Sequence, residues 1–350
     1  MAILERVKIE NFRNVAHRDF LVASMNVIEG KNMSGKTNTL NAIHWGFTGV
    51  TMDGSGDNRL NFPINGEERT SVKLFFDSFT FERVCESVNG TPTVTIYIDD
   101  TKATSVKIGD ANLHAKLGLS DIILTQPKGF NIIRFLLNPL YFEGVAPKDL
   151  RKFFYSLADV NFNDIRACQK ASVKATLDRY VSNEPYALCD TVANLKKNIK
   201  KNIETCKLAR GLFPSIEQES LDKEKDLNRN LKILEADEAL IEKYALDVSR
   251  HINNWYQRAL GIKICLLEKG VGDDVYKDVC YPILPKSNLP FDVGSYAERS
   301  YIGMRFIQEV CLKWNIKPLP ILLDNMESLD KSTTNLVVEL GAQYIGAKVI

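Results

Sequence analysis

Gly30-Lys31-Asn32-Met33-Ser34-Gly35-Lys36-Thr37 fits the pattern G-x-x-x-x-G-K-[ST] at every fixed position. Glycines at those places let backbone N–H groups curl around a phosphate chain, and a helix starting there adds its dipole to the same anion. Lys36 is then the point charge for the β- and γ-phosphates of a nucleotide, and Thr37 the hydroxyl ligand for Mg²⁺. The competing explanation is a chance match of four positions. Against it stand a strand-like run at 26–29 before the loop and a helix-like run at 38–45 after it, with Leu40, Ile43 and Trp45 apolar. Far downstream, Leu319-Pro320-Ile321-Leu322-Leu323-Asp324 reads as a buried strand ending in a carboxylate, the form that holds Mg²⁺ through water. Alone, Asp324 could be an incidental turn residue; beside a phosphate loop it becomes the second half of a nucleotide site.

Other chemistry finds no support. The cysteines (Cys85, Cys168, Cys189, Cys206, Cys265, Cys280, Cys311) are scattered and never spaced C-x-x-C, so reduced thiols in a cytoplasmic protein are expected. His17, His44, His114 and His251 are equally dispersed, which leaves no metal or triad spacing. With Lys+Arg 45 against Asp+Glu 44 and 45% hydrophobic residues, the chain is neither disordered nor a basic nucleic-acid packaging protein. No run of 18 apolar residues exists, so no membrane span is expected, and the N-terminal residues lack the basic and apolar regions of a signal peptide.

Three textures must position these residues. Up to about residue 130 the chain is strand-rich: Ile3, Val7 and Ile9 alternate with polar neighbours, 72–76 and 93–98 are β-branched and aromatic, and Asn89-Gly90 marks a hairpin turn. Residues 148–262 carry helical periodicity. Leu188, Val192, Leu195, Ile199, Ile203 and Cys206 recur at three or four, as do Leu227, Leu231, Leu234, Ile241, Tyr244, Val248, Ile252 and Trp255, with Gly211 and Pro214 between them. Two such helices joined by a short turn form an antiparallel hairpin of only about 40 Å. The remainder, from 263, is mixed, with helices expected at 297–314 and 331–340. The expected domains are 1–160, an N-terminal head half; 161–262, a helical arm; and 263–350, a C-terminal head half.

A phosphate loop and its acidic strand at opposite ends of a chain split by a helical hairpin resemble an SMC/RecF-type ATPase of the ABC class. Val7-Lys8-Ile9-Glu10-Asn11-Phe12-Arg13-Asn14 is similar to that family's opening strand, I-x-N-F-R, which implies that Arg13 approaches the nucleotide. The run 34–45, with Asn38 after Thr37, is similar to its S-G-K-S-N helix. Phe135-Leu136-Leu137-Asn138-Pro139-Leu140-Tyr141-Phe142 resembles the Q-loop, with Asn138 in the place of the Mg²⁺-contacting Gln. Gly294-Ser295-Tyr296-Ala297-Glu298-Arg299 resembles the signature S-G-G-E-R: Ser295, Glu298 and Arg299 are kept, and both glycines are replaced. Ser295 is also an ordinary helix N-cap in form. The resemblance implies an α/β fold: an ABC-type P-loop ATPase head split by a short antiparallel helical hairpin or coiled coil. It also implies ATP and Mg²⁺ as cofactors and a homodimer whose heads sandwich ATP, the signature reaching the nucleotide of the other subunit.

Asp324-Asn325-Met326-Glu327-Ser328 looks closest to small phage-encoded members. Where the wider family has the Glu that orients the attacking water stands Asn325, which can hydrogen-bond water but cannot accept its proton. Glu327 takes that role if the loop turns it inward. Leu329-Asp330 resembles the D-loop. No histidine follows His251, so the family's switch His is missing: either the product is truncated or it works without one. The implied partner is DNA, with room for a nuclease. The local surface for DNA is Lys196, Lys197, Lys200, Lys201, Lys207 and Arg210, which equally reads as a solvated helix face. Two further readings remain: an ATP-gated DNA clamp with little or no hydrolysis, and a transporter's nucleotide-binding domain, which the long helical insertion disfavours.

Overall fold

The computed structural model describes residues 2–62, 68–158, 165, 169, 171–180, 188–212, 217–269, 276–329 and 331–350. Cys168, Pro185, Pro214 and Asp330 lie outside them, as does the turn of the arm. Two compact units are present: residues 1–146 with 286–350, and residues 147–285. Segments 147–160 and 263–285, expected in the head halves, thus fall in the second unit.

In the first unit, β1 (Leu4–Phe12), β2 (Val15–Leu21), β4 (Arg69–Phe76), β5 (Thr80–Val88), β6 (Thr91–Ile98) and β7 (Thr101–Lys102) form an antiparallel sheet in the order β2-β1-β4-β5-β6-β7. Alternation puts Val7, Ile9, Val72 and Leu74 fully inside, while Ile3 precedes the strand and is exposed. Asn89 and Gly90 both have positive φ (53° and 76°), the geometry that a two-residue hairpin needs. A second, parallel sheet has the order β10-β11-β3, from β3 (Met25–Gly30), β10 (Ile321–Leu323) and β11 (Tyr344–Val349).

Helix α1 (Lys36–Thr48) touches strands of both sheets. Leu40, Ile43, Trp45 and Phe47 are each 0% exposed, so it is apolar nearly all round, as a helix covered on both faces must be. Arg83 of β5 is buried beside it, stacked over Trp45 and Phe81 and paired with Asp110 at 2.5 Å. Residues 106–125, expected within the strand-rich part, instead carry α2 (Val106–Lys116) and α3 (Ser120–Thr125), and α4 (Ile132–Leu137) follows. Two glycines set close approaches. A Cβ at Gly303, in the helix that follows the signature-like segment, would overlap Pro139 O. One at Gly346 of β11 would lie on Met326 Sδ, so that strand seats the loop after Asp324.

His44 of α1 is buried, and its Nδ1 lies 2.8 Å from Val50 O. A carbonyl only accepts, so the proton sits on Nδ1, and the buried Nε2 has no partner among the described residues. Burial pushes the imidazole pKa from 6.5 down to about 4, with Arg134 adding to the shift. Between those values the unfolded chain binds a proton that the folded chain refuses. This contribution to stability is complete above pH 6.5 and is lost as pH falls toward 4, at about 1.4 kcal/mol per pH unit. Urea unfolding at pH 7 and pH 5 should show a loss of about 2 kcal/mol that His44→Gln removes. An equal pH dependence in both proteins would show that His44 is not its source.

The second unit contains α5 (Pro147–Leu157), α6 (Ala171–Tyr180), α7 (Leu188–Leu212), α8 (Glu217–Ala259) and the two-stranded sheet of β8 (Lys263–Lys269) and β9 (Tyr276–Ile283). Helices α7 and α8 run antiparallel, with Ser220 Oγ donating to Cys206 O (2.7 Å), and with Lys196–Glu238 (2.7 Å) and Lys207–Glu224 (4.0 Å) as cross-helix pairs. At 43 residues, or about 64 Å, α8 far outruns its partner. It also meets α6 and β8, and Tyr256 donates to Phe154 O of α5 (2.7 Å). Arg151 and Asp278, both nearly fully buried, pair at 3.1 Å; burial raises the Asp278 carboxyl, and Arg151 opposes that rise.

Candidate functional site

Strand β3 ends at Gly30 and α1 begins at Lys36, so the loop between them lies where the parallel sheet meets a helix N-terminus. Gly35 caps that helix at φ 85°, a conformation that favours glycine, and Met33 holds φ 65° without being one. A Cβ on Gly30 would lie 2.6 Å from Ser34 Oγ, and one on Gly35 3.2 Å from Asn14 Oδ1. The loop is tightly wound, and side chains at those two positions would open it.

Lys36 is almost buried, its Nζ donating to Gly30 O (2.8 Å) and Lys31 O (2.7 Å). Thr37 Oγ1 lies 3.2 and 3.0 Å from the two oxygens of Asp324, a residue 287 positions away. The pairing of β3 with β11 and of β11 with β10 brings the ends of those strands side by side and so creates this meeting. A cleft of about 180 Å³ opens here, lined by Asn14, Asn32, Met33, Ser34, Gly35, Lys36, Thr37, Asn38, Asp324, Asn325, Ala347 and Val349.

Arg13, Glu327 and Asn138 stand outside that lining. Arg13 (φ 52°) donates through Nη1 to Asn38 Oδ1 at 3.3 Å, and its buried Nε has no partner among the described residues. Glu327 is exposed and accepts the Val349 N–H at 3.3 Å, which puts its carboxylate at the rim. Asn325 does face the cleft, in a left-handed conformation (φ 52°, ψ 48°) that asparagine tolerates. Asn138 is not brought to the cleft: buried at the C-terminus of α4, it closes its own turn with Oδ1 on Leu140 N (2.9 Å).

Ser295 caps α9 (Tyr296–Lys313) in a reciprocal box, Glu298 N donating to Ser295 Oγ (3.3 Å) and Ser295 N to Glu298 Oε2 (3.2 Å). Arg299 pairs with Glu143. Tyr296, in place of a signature glycine, lies against Asp324; burial raises its phenol, and the carboxylate adds to the shift. Sequence reasoning missed Asn14, Met33 and Tyr296 as neighbours of the site. Their signal was adjacency to the motifs.

ATP and Mg²⁺ fit these groups. The loop has no space for a side chain at Gly30 or Gly35, a cation stands at its floor, and a hydroxyl and a carboxylate converge as hard oxygen donors. Among the described residues, no group of three or more His, Cys, Asp or Glu could hold a metal, and no helix is long and apolar enough to cross a membrane. The six cysteines among the described residues are free thiols.

Residues 6–245 match the AAA domain family. No curated protein matches the chain. Among solved structures, it is similar to the Smc head domain with an extended coiled coil from Pyrococcus furiosus, bound to the C-terminal domain of ScpA (13% identity, 100% of this chain and 90% of that one, TM-score 0.48). It is also similar to the ATP complex of the recombination mediator protein RecF (15%, 100% and 94%, 0.46). A third is the SMC head domain from Thermotoga maritima (13%, 99% and 89%, 0.35).

Proposed function

The chain belongs to the AAA domain family, and on that premise we propose that it is an ATPase of the SMC/RecF type that binds Mg·ATP in the 30–37 cleft, hydrolyses it, and couples head-to-head dimerisation to DNA. The observation that carries this reading is the Thr37–Asp324 contact, at 3.0 Å between a loop hydroxyl and a strand-end carboxylate from opposite ends of the chain. Thr37 and Asp324 would hold Mg²⁺, which neutralises charge on the β- and γ-phosphates when bound. Lys36 would exchange its two carbonyl partners for phosphate oxygens. Asn32, Ser34, Gly35 and Asn38 would line the phosphates, with Arg13 oriented through Asn38.

For hydrolysis the water needs a partner. Asn325 can orient it from within the cleft, and Glu327 at the rim is the group able to take its proton. The placement of Asn325 in the lining, with Glu327 on the Val349 N–H, also favours a second reading, an ATP-gated clamp that hydrolyses slowly. DNA contact rests on the resemblance and on Lys197, Lys200 and Lys201, which are exposed on α7, whereas Lys196 and Lys207 are paired with acids. Repair and recombination are the processes that the resemblance suggests.

Light scattering tests the dimer. The protein should be monomeric without ATP and dimeric with it. Ser295→Arg should still bind ATP in its own cleft yet remain monomeric, while Ser295→Ala, which removes only the cap and costs about 1 kcal/mol, should dimerise. A dimer forming equally without nucleotide would exclude the mechanism.

A further inference from the structure

Strand β2 is the edge of the antiparallel sheet, and its Arg18 stands directly opposite Ile9 of β1. Residues opposite one another across an antiparallel pair share a face. Ile9 is 0% exposed, so Arg18 is a charged side chain on the core-facing side of the sheet. Its Nη2 donates to Ser34 O at 3.3 Å. From the same hairpin, Asn14 Nδ2 donates to Met33 O (3.1 Å) and Asn14 Oδ1 accepts from Asn38 (2.8 Å). Two consecutive carbonyls of the phosphate loop are therefore held from outside by one hairpin.

A peptide unit is planar and trans, so a carbonyl fixed on one side sends the N–H of the next residue to the other. Ser34 N–H turns back to Lys31 O at 3.3 Å, which leaves the Gly35 N–H as the donor whose direction the Ser34 carbonyl sets. Met33 and Gly35, both left-handed on either side of Ser34, give the backbone the alternation from which anion-binding concavities are made. For Met33 that conformation costs about 1 kcal/mol and persists only where the surroundings hold it.

We propose that Arg18 is a positioning residue of the phosphate site: by holding the Ser34 carbonyl it aims the Gly35 N–H at the nucleotide, without itself touching the phosphates. This rests on the nucleotide reading of the cleft. The test measures ATP affinity, and its dependence on salt, for the wild type and for Arg18→Ala, Arg18→Lys and Lys36→Ala. Arg18→Ala should bind ATP about tenfold more weakly with an unchanged salt slope and an unchanged thermal midpoint, and Arg18→Lys, which keeps a donor, should recover most of the loss. Lys36→Ala should weaken binding and flatten the slope, since it removes a charge that meets the phosphates. Arg18→Ala binding like the wild type would make Arg18 only an inward charge protecting a sheet edge. A flattened slope for Arg18→Ala would make it a direct phosphate cation. Either result overturns the proposal. If Lys36→Ala also binds like the wild type, the nucleotide reading itself has failed.

Discussion

Lys36→Ala should weaken ATP binding roughly ten- to a hundredfold, the effect of losing a charge-assisted contact of about 1.5–3 kcal/mol. In the structure the ammonium is already desolvated and satisfied by Gly30 O and Lys31 O, at 2.8 and 2.7 Å. Nucleotide binding therefore replaces two carbonyls by phosphate oxygens, and the gain comes from full negative charge displacing partial charge. The alanine variant loses that exchange and also frees the two carbonyls, loosening the loop. Titration with a fluorescent nucleotide, with circular dichroism to show that the variant is folded, provides the measurement. Undiminished affinity in a folded variant would remove the basis of the nucleotide assignment.

Turnover carries the second large effect. If Glu327 takes the proton of the attacking water, Glu327→Gln should cut the rate at least a hundredfold, the lower end of general-base assistance. Affinity for Mg·ATP should stay nearly intact, since the residue acts on the water. The amide can still accept the Val349 N–H, so the loop should hold its shape. Asn325→Glu places a carboxylate on a residue that faces the cleft, at a backbone position (φ 52°) that costs a non-glycine, non-asparagine residue about 1–2 kcal/mol. Faster turnover in that variant, bought with lower stability, would identify Asn325 as the group that keeps the wild type slow. A Glu327→Gln enzyme running at the wild-type rate would reduce Glu327 to a loop contact, and no turnover at all in the wild type would favour the clamp.

Residues 30–37 and 319–324 were legible because phosphate cradles and buried strands impose composition on short stretches of chain. The 89–90 turn was legible for a similar reason, since only a few residue types tolerate its dihedral angles. The fate of Asn138 was not: an asparagine that ends a helix can face a ligand or close its own turn, as it does here through Leu140 N. Helices α2 and α3 were hidden by short length and mixed faces, too brief for periodicity to accumulate. Arg18 carried no local signal, because its partner is a carbonyl 16 residues away on another element.

The pairing of β3 with β11 places a constraint on the order of events at the ribosome. Residues 25–30 emerge early, yet the strand that hydrogen-bonds to them ends at residue 349. At synthesis rates of about 5–20 residues per second, the phosphate-loop strand waits roughly 15 to 60 seconds for its neighbour. The β1–β2 hairpin and the α7–α8 pair, by contrast, close on local contacts and form soon after they appear. Premature release or a stalled ribosome would thus yield a chain whose arm is folded and whose nucleotide strand is still open, with an edge ready to pair with another chain.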